Sequence, residues 1–567
     1  MIPLGTVGSA SFADPHTTGN MANFSAKILG NSVSSMTAQQ ALLANASNNI
    51  ANVNTPGYSR RQIEIQTQVD PAALNGLLRI GSGVQLGQIS RMTSSFLEAS
   101  LRGVISNQGK AEVRNDYLAR IENVFSLTGP QSTVGSALND FFSAINQVSI
   151  NPSSLDLRLN LQQTGEDLVS TIRTTYNEIA KGQDELDARV PQEVEAINAF
   201  TKQVAYLNGL IASREAVGVS AIDERDQRDT VLAKLSEKIS FNAMELQNGM
   251  INLSLDNGFP LVSQQTARSL STTKDPSFAT GDLPNSLSDG ILCYVVYNYG
   301  TDTEPSHLDL TKTIKNGEGS LAGVLQLRGY ADPSNTSPFQ ADGELVTLAA
   351  RIEMLTRTLL TNVNQAYRGG DENAGTPSFS EASSADLNGN PPGVFGLFDF
   401  EFGGIKDANN DGVASASDLA ATGITSFSRM LKLGFSAPEE FAASRDSNPI
   451  PGSTSFQSGD SRNAQALLDL RNTTFGFALD NHSFNGTFDE LYNATVSTMG
   501  SMKASAQIEL DVAKSSYLTA SNKRDEISGV NLDEEFANVI KYQKAFQASA
   551  RMIKTAKDLI DTIVSLI

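Results

Sequence analysis

Apolar residues recur every seven positions near both ends of the chain. The N-terminal repeat consists of Leu29, Met36, Leu43 and Ile50. The C-terminal repeat, uninterrupted by Gly or Pro, consists of Leu532, Val539, Phe546, Ile553, Ile560 and Ile567. A helix with this spacing carries one narrow apolar stripe, which is the pattern of coiled-coil packing. The sequence therefore predicts a long helix at each end, and the two helices can pair with each other.

A helical period also marks much of the inner chain. It predicts helices at residues 96–125, 134–148, 155–215, 223–238, 345–359 and 496–520. Pro191 lies in the longest of them and is expected to kink or split it, because proline lacks a backbone donor and clashes with the preceding turn. These helices, although distant in sequence, are predicted to form one elongated bundle.

Two stretches between the helices are patterned differently. In the first, Ile251, Leu253 and Leu255 alternate with polar residues before Asn257-Gly258, a dipeptide typical of tight β-hairpins. The run "ILCYVVYNYG" that follows indicates a buried strand. Gly, Pro, Ser and Asp are frequent here and again between 370 and 490. Both stretches are interpreted as inserted domains, mostly β or mixed.

Together these patterns predict an α+β multidomain fold with terminal coiled-coil helices and an elongated α-helical bundle that carries inserted mostly-β or mixed domains. The predicted divisions are a disordered extension at 1–20, a terminal helical domain at 21–90 plus 530–567, a helical core at 91–245 plus 341–369 and 490–529, a β-rich insert at 246–340, and a mixed or β insert at 370–489. Whether the chain starts at Met1 or Met21 is left open.

Composition and charge exclude several classes of protein. The net charge is −20 and the isoelectric point about 4.7, whereas nucleic-acid binding needs a basic patch. The single cysteine, Cys293, excludes an intramolecular disulfide framework and a cysteine metal cage. No apolar run is long enough to predict a membrane span. The N-terminus also lacks the charged and apolar regions of a cleaved signal peptide.

No motif in the sequence predicts catalysis. His16, His307 and His482 are isolated from one another, and each is interpreted as a surface or turn residue. Nucleophile-elbow, P-loop and dinucleotide-binding motifs are absent. The chain is therefore predicted not to be an enzyme.

A cluster of alternating charges at residues 223–229 is predicted to stabilise the bundle. It places Glu224 four residues before Arg228, and Arg225 four residues before Asp229. Pairs at this spacing support a helix, so an ion-pair network is preferred to an acid–base site.

One loop has the spacing of a calcium site. An EF-hand-type loop places oxygen ligands at fixed positions, with a glycine at its tight turn. The matching residues are Asp407, Asn409, Asp411, Gly412, Val413 through its carbonyl, Ser415 and Asp418. Position 12 is Asp instead of Glu, as in the calcium loops of dockerin modules. The alternatives are a calcium site and a polar surface turn; no other cofactor is expected.

The stretch "NNIANVNTPGYSRRQ" ends the first helix. Pro56 and Gly57 occupy the second and third positions of a predicted type II turn, where Gly is favoured because φ must be positive. The preceding asparagines, Asn49 and Asn52 among them, suit either of two roles. Their amides can hydrogen-bond to neighbouring subunits, or they can cap a solvated helix end.

The ends of the chain resemble a known family. "ALLANASNNIANVNTPGYSRR" is similar to the N-terminal motif of the axial proteins of the bacterial flagellum, which are the rod, hook and hook-associated proteins. "SGVNLDEEFANVIKYQKAFQASARMIKTAKDLIDTIVSLI" resembles their C-terminal motif. The segments "SGVNLDEE", "AYLNGLI" and "DERDQRDTVLAKLSEKIS" resemble the hook-associated protein 1, or hook–filament junction, family in particular.

This resemblance implies a structural protein that forms the junction ring between hook and filament. It implies export through the flagellar type III pathway without a cleaved signal, and an extracellular position in the flagellum. The implied partners are further copies of the chain, the hook protein, a second junction protein or filament proteins, and an export chaperone. The alternatives are another hook or rod protein, or a surface adhesin or calcium-binding protein that uses residues 370–490.

The terminal helices and the turn that follows the first of them are expected to form the contacts between copies. Neighbouring copies are expected to supply the hydrogen-bond partners of the asparagines. The predicted assembly residues are Leu29, Met36, Leu43, Asn49, Ile50, Asn52, Pro56, Gly57, Tyr58, Val539, Phe546, Ile553, Ile560 and Ile567.

Overall fold

The computed structural model describes residues 15–68, 81, 83–125, 133–274, 286–299, 307–332, 337–368, 384–390, 396–400, 426–445 and 457–565. The helices are α1 (Pro15–Ala51), α2 (Ser95–Phe125), α3 (Val134–Ile150), α4 (Leu155–Ala216), α5 (Ile222–Lys238), α6 (Thr311–Lys315), α7 (Ser320–Arg328), α8 (Glu344–Thr358), α9 (Asn364–Tyr367), α10 (Arg462–Asp469), α11 (Phe488–Ser528) and α12 (Leu532–Ser565).

The strands are short and antiparallel. They are β1 (Arg61–Thr67), β2 (Val84–Arg91), β3 (Asn242–Glu245), β4 (Ile251–Ser254), β5 (Pro260–Ser263), β6 (Thr266–Ala267), β7 (Leu270–Thr273), β8 (Tyr294–Asn298), β9 (His307–Asp309), β10 (Ser384–Ala385), β11 (Phe398–Phe400), β12 (Leu431–Leu433), β13 (Ser444–Arg445), β14 (Phe475–Leu479) and β15 (His482–Gly486). Two larger sheets have the orders β3-β4-β5-β6 and β7-β8-β9, and the other sheets are two-stranded. The predicted α+β fold is confirmed.

The helix α4 runs for 62 residues through the centre of the bundle and packs against α3, α5, α7 and α8. Pro191 does not split it. The proline lies on the exposed side of α4, whereas Val190, Val194 and Ile197 are buried next to it. Packing along this buried face holds the helix together where the proline removes a backbone hydrogen bond.

Both local β predictions in the first insert are confirmed. Strands β4 and β5 pair across Asn257-Gly258, and Gly258 has a φ of +89°. The amide of Leu255 donates to the carbonyl of Phe259 at 2.8 Å and closes the hairpin. Strand β8 is almost completely buried, as its continuous apolar sequence predicts.

The described strands of the insert at 246–340 share the apolar core of the bundle. Leu253, Val262 and Val295 belong to the same buried cluster as the helices of the bundle. The carboxamide of Asn208, on α4, donates to the Ile251 carbonyl at 2.8 Å and accepts from the Ile251 amide at 3.1 Å. The described strands between 246 and 340 therefore pack on α4 as part of the bundle.

The second insert is anchored to α8 and α9 by buried polar side chains. Glu353 is fully buried and accepts hydrogen bonds from the backbone amides of Phe427 at 2.9 Å and Ser428 at 3.0 Å. Asn364 exchanges two hydrogen bonds, both 2.9 Å, with the backbone of Phe398. The described parts of this insert therefore also pack onto the bundle.

The ends of the chain form a separate group of elements, which we call the terminal unit: α1, β1, β2 and α12. Helices α1 and α12 pack along each other, and the β1–β2 hairpin lies against α1. Because α1 begins at Pro15, residues 15–20 are helical, which corrects the predicted extension at 1–20; residues 1–14 lie outside the described part of the chain. No helix among the described residues is long and apolar enough to cross a membrane.

We predict that Glu353→Ala lowers the free energy of unfolding by about 3 kcal/mol, because it leaves buried backbone amides without an acceptor and Arg357 without its carboxylate. Urea denaturation followed by circular dichroism would measure the loss. The control, Glu195→Ala at an exposed position of α4, should change stability by no more than about 0.5 kcal/mol. Equal losses in the two variants would contradict a specific anchoring role.

Candidate assembly site

The turn after α1 has the predicted type II geometry. The amide of Tyr58 donates to the carbonyl of Thr55 at 3.2 Å, and Gly57 has a φ of +78°. A Cβ atom at Gly57 would lie 2.2 Å from Oγ1 of Thr230 on α5. Two independent constraints therefore require glycine here: the positive φ and the close approach to α5. Pro56 is exposed.

The asparagines before the turn find partners in their own chain. Asn49 is fully buried; its amide group donates to the Arg61 carbonyl at 3.0 Å, and its Oδ1 accepts from the Arg61 amide at 3.1 Å. The hydroxyl of Tyr58 donates to the same Oδ1 at 2.8 Å. The side chain of Asn52 donates to the carbonyl of Asn48 at 3.0 Å.

These bonds give Asn49 and Asn52 hydrogen-bond partners within their own chain, in place of the partners expected from neighbouring copies. After the turn, the chain folds back along α1, which brings the start of β1 within reach of Asn49. Asn49 acts as a clip between helix and strand, because a carboxamide can donate to and accept from one backbone position.

The contact between α1 and α12 is centred on small and polar residues. Ala38, Leu42 and Ala46 on α1, and Ser549 and Ala556 on α12, are buried. The hydroxyls of Ser35 and Ser549 lie 3.0 Å apart. The end of α1 also lies near the start of α12, so the two helices are antiparallel. Small side chains at these positions let the helices approach closely.

The predicted apolar stripes flank this contact. Leu532 is 40% exposed, the other described members of the two stripes are half-buried, and Ile567 lies outside the described residues. The half-buried residues are Leu29, Met36, Leu43, Ile50, Val539, Phe546, Ile553 and Ile560. Sequence reasoning missed the centre of the contact because Ala and Ser give a weak hydrophobic signal. The seven-residue spacing of Ser549 and Ala556 was the signal in the sequence that could have located this contact.

A charged clasp joins the two terminal motifs. The amide of Arg60 donates to the carbonyl of Ser528 at 2.9 Å. The guanidinium of Arg60 pairs with Glu534 at 2.9 Å and with Glu535 at 2.8 Å. The segment "GYSRR" thus contacts "SGVNLDEE" directly, which connects the end of α1 to the start of α12.

The charge cluster on α5 is an ion-pair network, but its partners are not the predicted neighbours on the same helix. Asp226 and Asp229 each lie 2.7 Å from the guanidinium of Arg91 on β2. Asp223 pairs with Arg61 on β1. These acidic side chains point away from α5 towards the terminal unit, because the hairpin brings two arginines to them.

The arginines of the same cluster point into the bundle. Arg225 pairs with Glu215 at 2.7 Å, and this hydrogen bond lowers the pKa of Glu215. Arg228 is fully buried and donates to the Gly249 carbonyl at 2.7 Å and to Oδ1 of Asn208 at 3.1 Å. Burial lowers the pKa of Arg228 to about 10. The network therefore ties α5 to α4 and β3 on one side and to the terminal unit on the other.

Helix α12 leaves a row of apolar side chains exposed. Leu532, Phe536 and Ile540, spaced one helical turn apart, are 40%, 53% and 59% exposed. Met552 and Leu559 are also exposed, further along the helix. Large apolar side chains grouped in this way mark surfaces that bind other proteins.

The predicted calcium ligands cannot be placed, because residues 401–425 lie outside the described part of the chain. They are Asp407, Asn409, Asp411, Val413, Ser415 and Asp418. Among the described residues, no group of His, Cys, Asp and Glu is arranged to hold a metal ion.

Two of the three histidines can be described. Nδ1 of His307 lies 2.7 Å from Oδ1 of Asn298, and Nε2 of His482 lies 3.2 Å from the carbonyl of Phe339. Burial lowers the pKa of His482. Each ring thus has a structural partner within the chain.

We predict that Gly57→Ala loosens the contact between the turn and α5. Alanine in this left-handed backbone conformation costs about 1 kcal/mol, and its Cβ would clash with Thr230. Hydrogen exchange read by mass spectrometry should become faster in residues 55–61 and 528–535. Gly30→Ala is the control, because a Cβ at Gly30 on α1 meets nothing within 4 Å. Unchanged exchange in Gly57→Ala would contradict the role given to this turn.

Comparisons with known proteins agree with this arrangement of elements. The family model described as "Flagellar hook-associated protein FlgK helical domain" matches residues 118–379. Those described as "Flagellar basal body rod FlgEFG protein C-terminal" and "Flagella basal body rod protein" match residues 521–566 and 29–58. The three matches together cover more than half of the chain, and the last two fall on α12 and α1.

Similar proteins match along nearly the whole length. The flagellar hook-associated protein 1 of Salmonella typhimurium is 26% identical over 95% of this chain and 99% of its own. That of Bacillus subtilis is 24% identical over 94% of this chain and 96% of its own. The solved flagellar hook junction protein FlgK from Burkholderia pseudomallei has the same fold, with a TM-score of 0.56 at 14% identity over 76% of this chain and 100% of its own. The helical-domain match, the two terminal matches and these relatives make the chain similar to flagellar hook-associated protein 1 along nearly its whole length.

Proposed function

We propose that this chain is a structural component of the bacterial flagellum and forms the junction ring between hook and filament by self-assembly of its terminal helices. The observation that carries the proposal is the exposed apolar row of α12, which the pairing with α1 leaves uncovered. Further copies of the chain would cover this row in a ring. The helical-domain match favours a junction protein over a hook or rod protein.

The composition of α1 supports close packing between copies. From residue 27 to residue 51, α1 carries a single charged residue, Lys27. The cores of protein interfaces are depleted of charged side chains. An almost uncharged helix, paired with one that exposes Leu532, Phe536 and Ile540, gives each copy a surface suited to burial against another copy.

The clasp between Arg60 and Glu534 and Glu535 has a consequence for assembly. It joins both ends of the chain in one copy, so the terminal helices enter the assembly as a pair. The asparagine clip at Asn49 holds the following strand beside them. Each copy would therefore add a preformed terminal unit to the ring, and ordering costs less when a binding surface is formed in advance.

The ring would contact the hook protein on one side and a second junction protein or filament proteins on the other. Before assembly the chain would be exported through the flagellar type III pathway without a cleaved signal, with a chaperone on its C-terminal helix. Its place would be extracellular, and its role would be mechanical, without catalysis.

We predict that Phe536→Asp and Ile540→Asp prevent incorporation of the chain into the junction, because each places a charge where another copy would bury an apolar side chain. Both residues are exposed in the single chain, so the monomer should keep its thermal stability. Incorporation is measured by immunolabelling of isolated hook–filament structures from cells that lack the native gene.

The matched control is Ile508→Asp, at a position of α11 that is 64% exposed. Normal incorporation of Phe536→Asp and Ile540→Asp would remove the assembly role of α12. An equal defect in Ile508→Asp would show that the effect is not specific to the terminal unit.

We also propose that residues 407–418 bind calcium. The support comes from the described residues on either side of this segment: Phe398 is held by Asn364 before it, and Ser428 by Glu353 after it. Strands β11 and β12 pair, which keeps the two ends close together. A loop with fixed ends loses less conformational entropy when it wraps around an ion.

Calorimetric titration of the full chain with calcium chloride should show binding that Asp411→Ala abolishes. The control is Asp167→Ala, which removes an exposed carboxylate on α4 and should leave binding unchanged. No heat with the native chain, or equal binding after Asp411→Ala, would remove the calcium proposal and leave the junction proposal intact.

A further inference from the structure

The terminal unit is joined to the bundle without a shared hydrophobic core. Its buried apolar residues, among them Ala38, Leu42, Ala46 and Ala556, are absent from the large cluster that unites the bundle and its sheets. Among the described residues, none of its four elements packs broadly against an element of the bundle. Apolar burial therefore stabilises each body separately, and other forces must set their relative orientation.

Two short segments connect the bodies. Residues 92–94 lead from β2 to α2, and residues 529–531 lead from α11 to α12. The two crossings lie close together, since Arg60 accepts from the Met92 amide at 2.9 Å and donates to the Ser528 carbonyl at 2.9 Å, and they define an axis about which one body can turn. Without further contacts across the gap, the angle between the bodies would not be fixed.

The strongest contacts across the gap are ion pairs. The guanidinium of Arg91 bridges Asp226 and Asp229 at 2.7 Å each. The side chains of these three residues are only 12%, 11% and 18% exposed. Arg61 adds a pair with Asp223, and Gly57 rests against Thr230. Ion pairs shielded from water in this way are far stronger than surface pairs.

Each buried charge in this cluster is stabilised by side chains of opposite charge. Burial alone would lower the pKa of Arg91, but Asp229 and Asp226 raise it. Burial raises the pKa of Asp226 against the opposing effect of Arg91 and Arg61. Arg102 on α2 also faces Asp229. Removal of one charge would leave its partner buried and unpaired, which is strongly unfavourable.

The cluster is also incompletely satisfied. Oδ2 of Asp226 is buried without a hydrogen-bond partner among the described residues, and it lies 3.8 Å from Nη2 of Arg61. Nε of Arg61 is buried without a partner as well. Buried polar atoms in this state are rare in native proteins. Opening this contact would cost less than opening a fully satisfied one, because these atoms would gain hydrogen bonds to water.

We propose that Arg91, Asp226 and Asp229, with Arg61 and Asp223, form a clamp that fixes the orientation of the terminal unit on the bundle. When the clamp opens, the terminal unit turns about residues 92–94 and 529–531 while both bodies stay folded. The clamp is a property of the single chain and does not rest on the proposed junction function. The terminal unit then has two orientations relative to the bundle, one with the clamp closed and one with it open.

The test is a distance measurement between spin labels on the two bodies of the full chain. The labels are attached at Gln40→Cys on α1 and Asn177→Cys on α4, both exposed positions, in a Cys293→Ser background. Electron–electron double resonance of this chain should give one narrow distance distribution. Arg91→Gln and, separately, Asp226→Asn should split or broaden it, with the thermal unfolding of the bundle unchanged.

The matched control is Arg114→Gln, because Arg114 is similarly buried and also bridges two carboxylates, those of Glu344 and Glu509, but within the bundle and α11. It should leave the distance distribution narrow. A broad distribution in the unmodified background, a narrow one in both clamp variants, or equal broadening in Arg114→Gln would overturn the proposal. Loss of the folded bundle in a clamp variant would also overturn it, since the clamp is argued to hold orientation only.

Discussion

The architecture of the bundle depends on the need to hydrogen-bond the polar side chains that α4 buries. Gln183 is fully buried; it donates to the Arg328 carbonyl at 2.9 Å and accepts from the Leu287 amide at 2.8 Å. Asp187, one turn later, accepts from the Cys293 amide at 2.8 Å and from Arg328 at 2.6 Å. An unpaired polar group at such depth costs about 1–3 kcal/mol, so the strands and α7 must lie where they satisfy these groups.

The two bodies of the molecule are stabilised by different forces, and this difference suits an assembling protein. The bundle has a continuous apolar core that includes the described parts of both inserts, so its folding does not depend on other copies. The terminal unit has a narrow contact of small residues, and it exposes Phe536 and Ile540. The ion pairs of Arg91 and Arg61 with α5 hold it in place on the bundle, and such pairs fix geometry without burying a large apolar surface. That surface remains available to other copies.

Local features were predictable wherever neighbouring residues determine the conformation. Pro56-Gly57 specified a turn and Asn257-Gly258 a hairpin, because a positive φ favours glycine. The helix α4 was predicted from its apolar period within one or two residues of its ends; in the structure Ser154 caps its start and Gly218 follows its end. Contacts between distant segments were predicted less well. The pairs expected within α5 were replaced by pairs to β1, β2 and α4, because an exposed helical pair is worth only a few tenths of a kcal/mol.

The sequence by itself determined that both ends are long helices with a seven-residue repeat, that a helical bundle lies between them, and that the terminal motifs resemble those of flagellar axial proteins. Spacing along one chain is enough for these conclusions, because helical periodicity is a local property. Only the tertiary structure decided that Ala and Ser lie at the centre of the α1–α12 contact, that Asn49 bonds to its own chain, and that Arg91 reaches Asp226. These depend on how close two segments come, and the chain fixes that distance only after the whole molecule has packed.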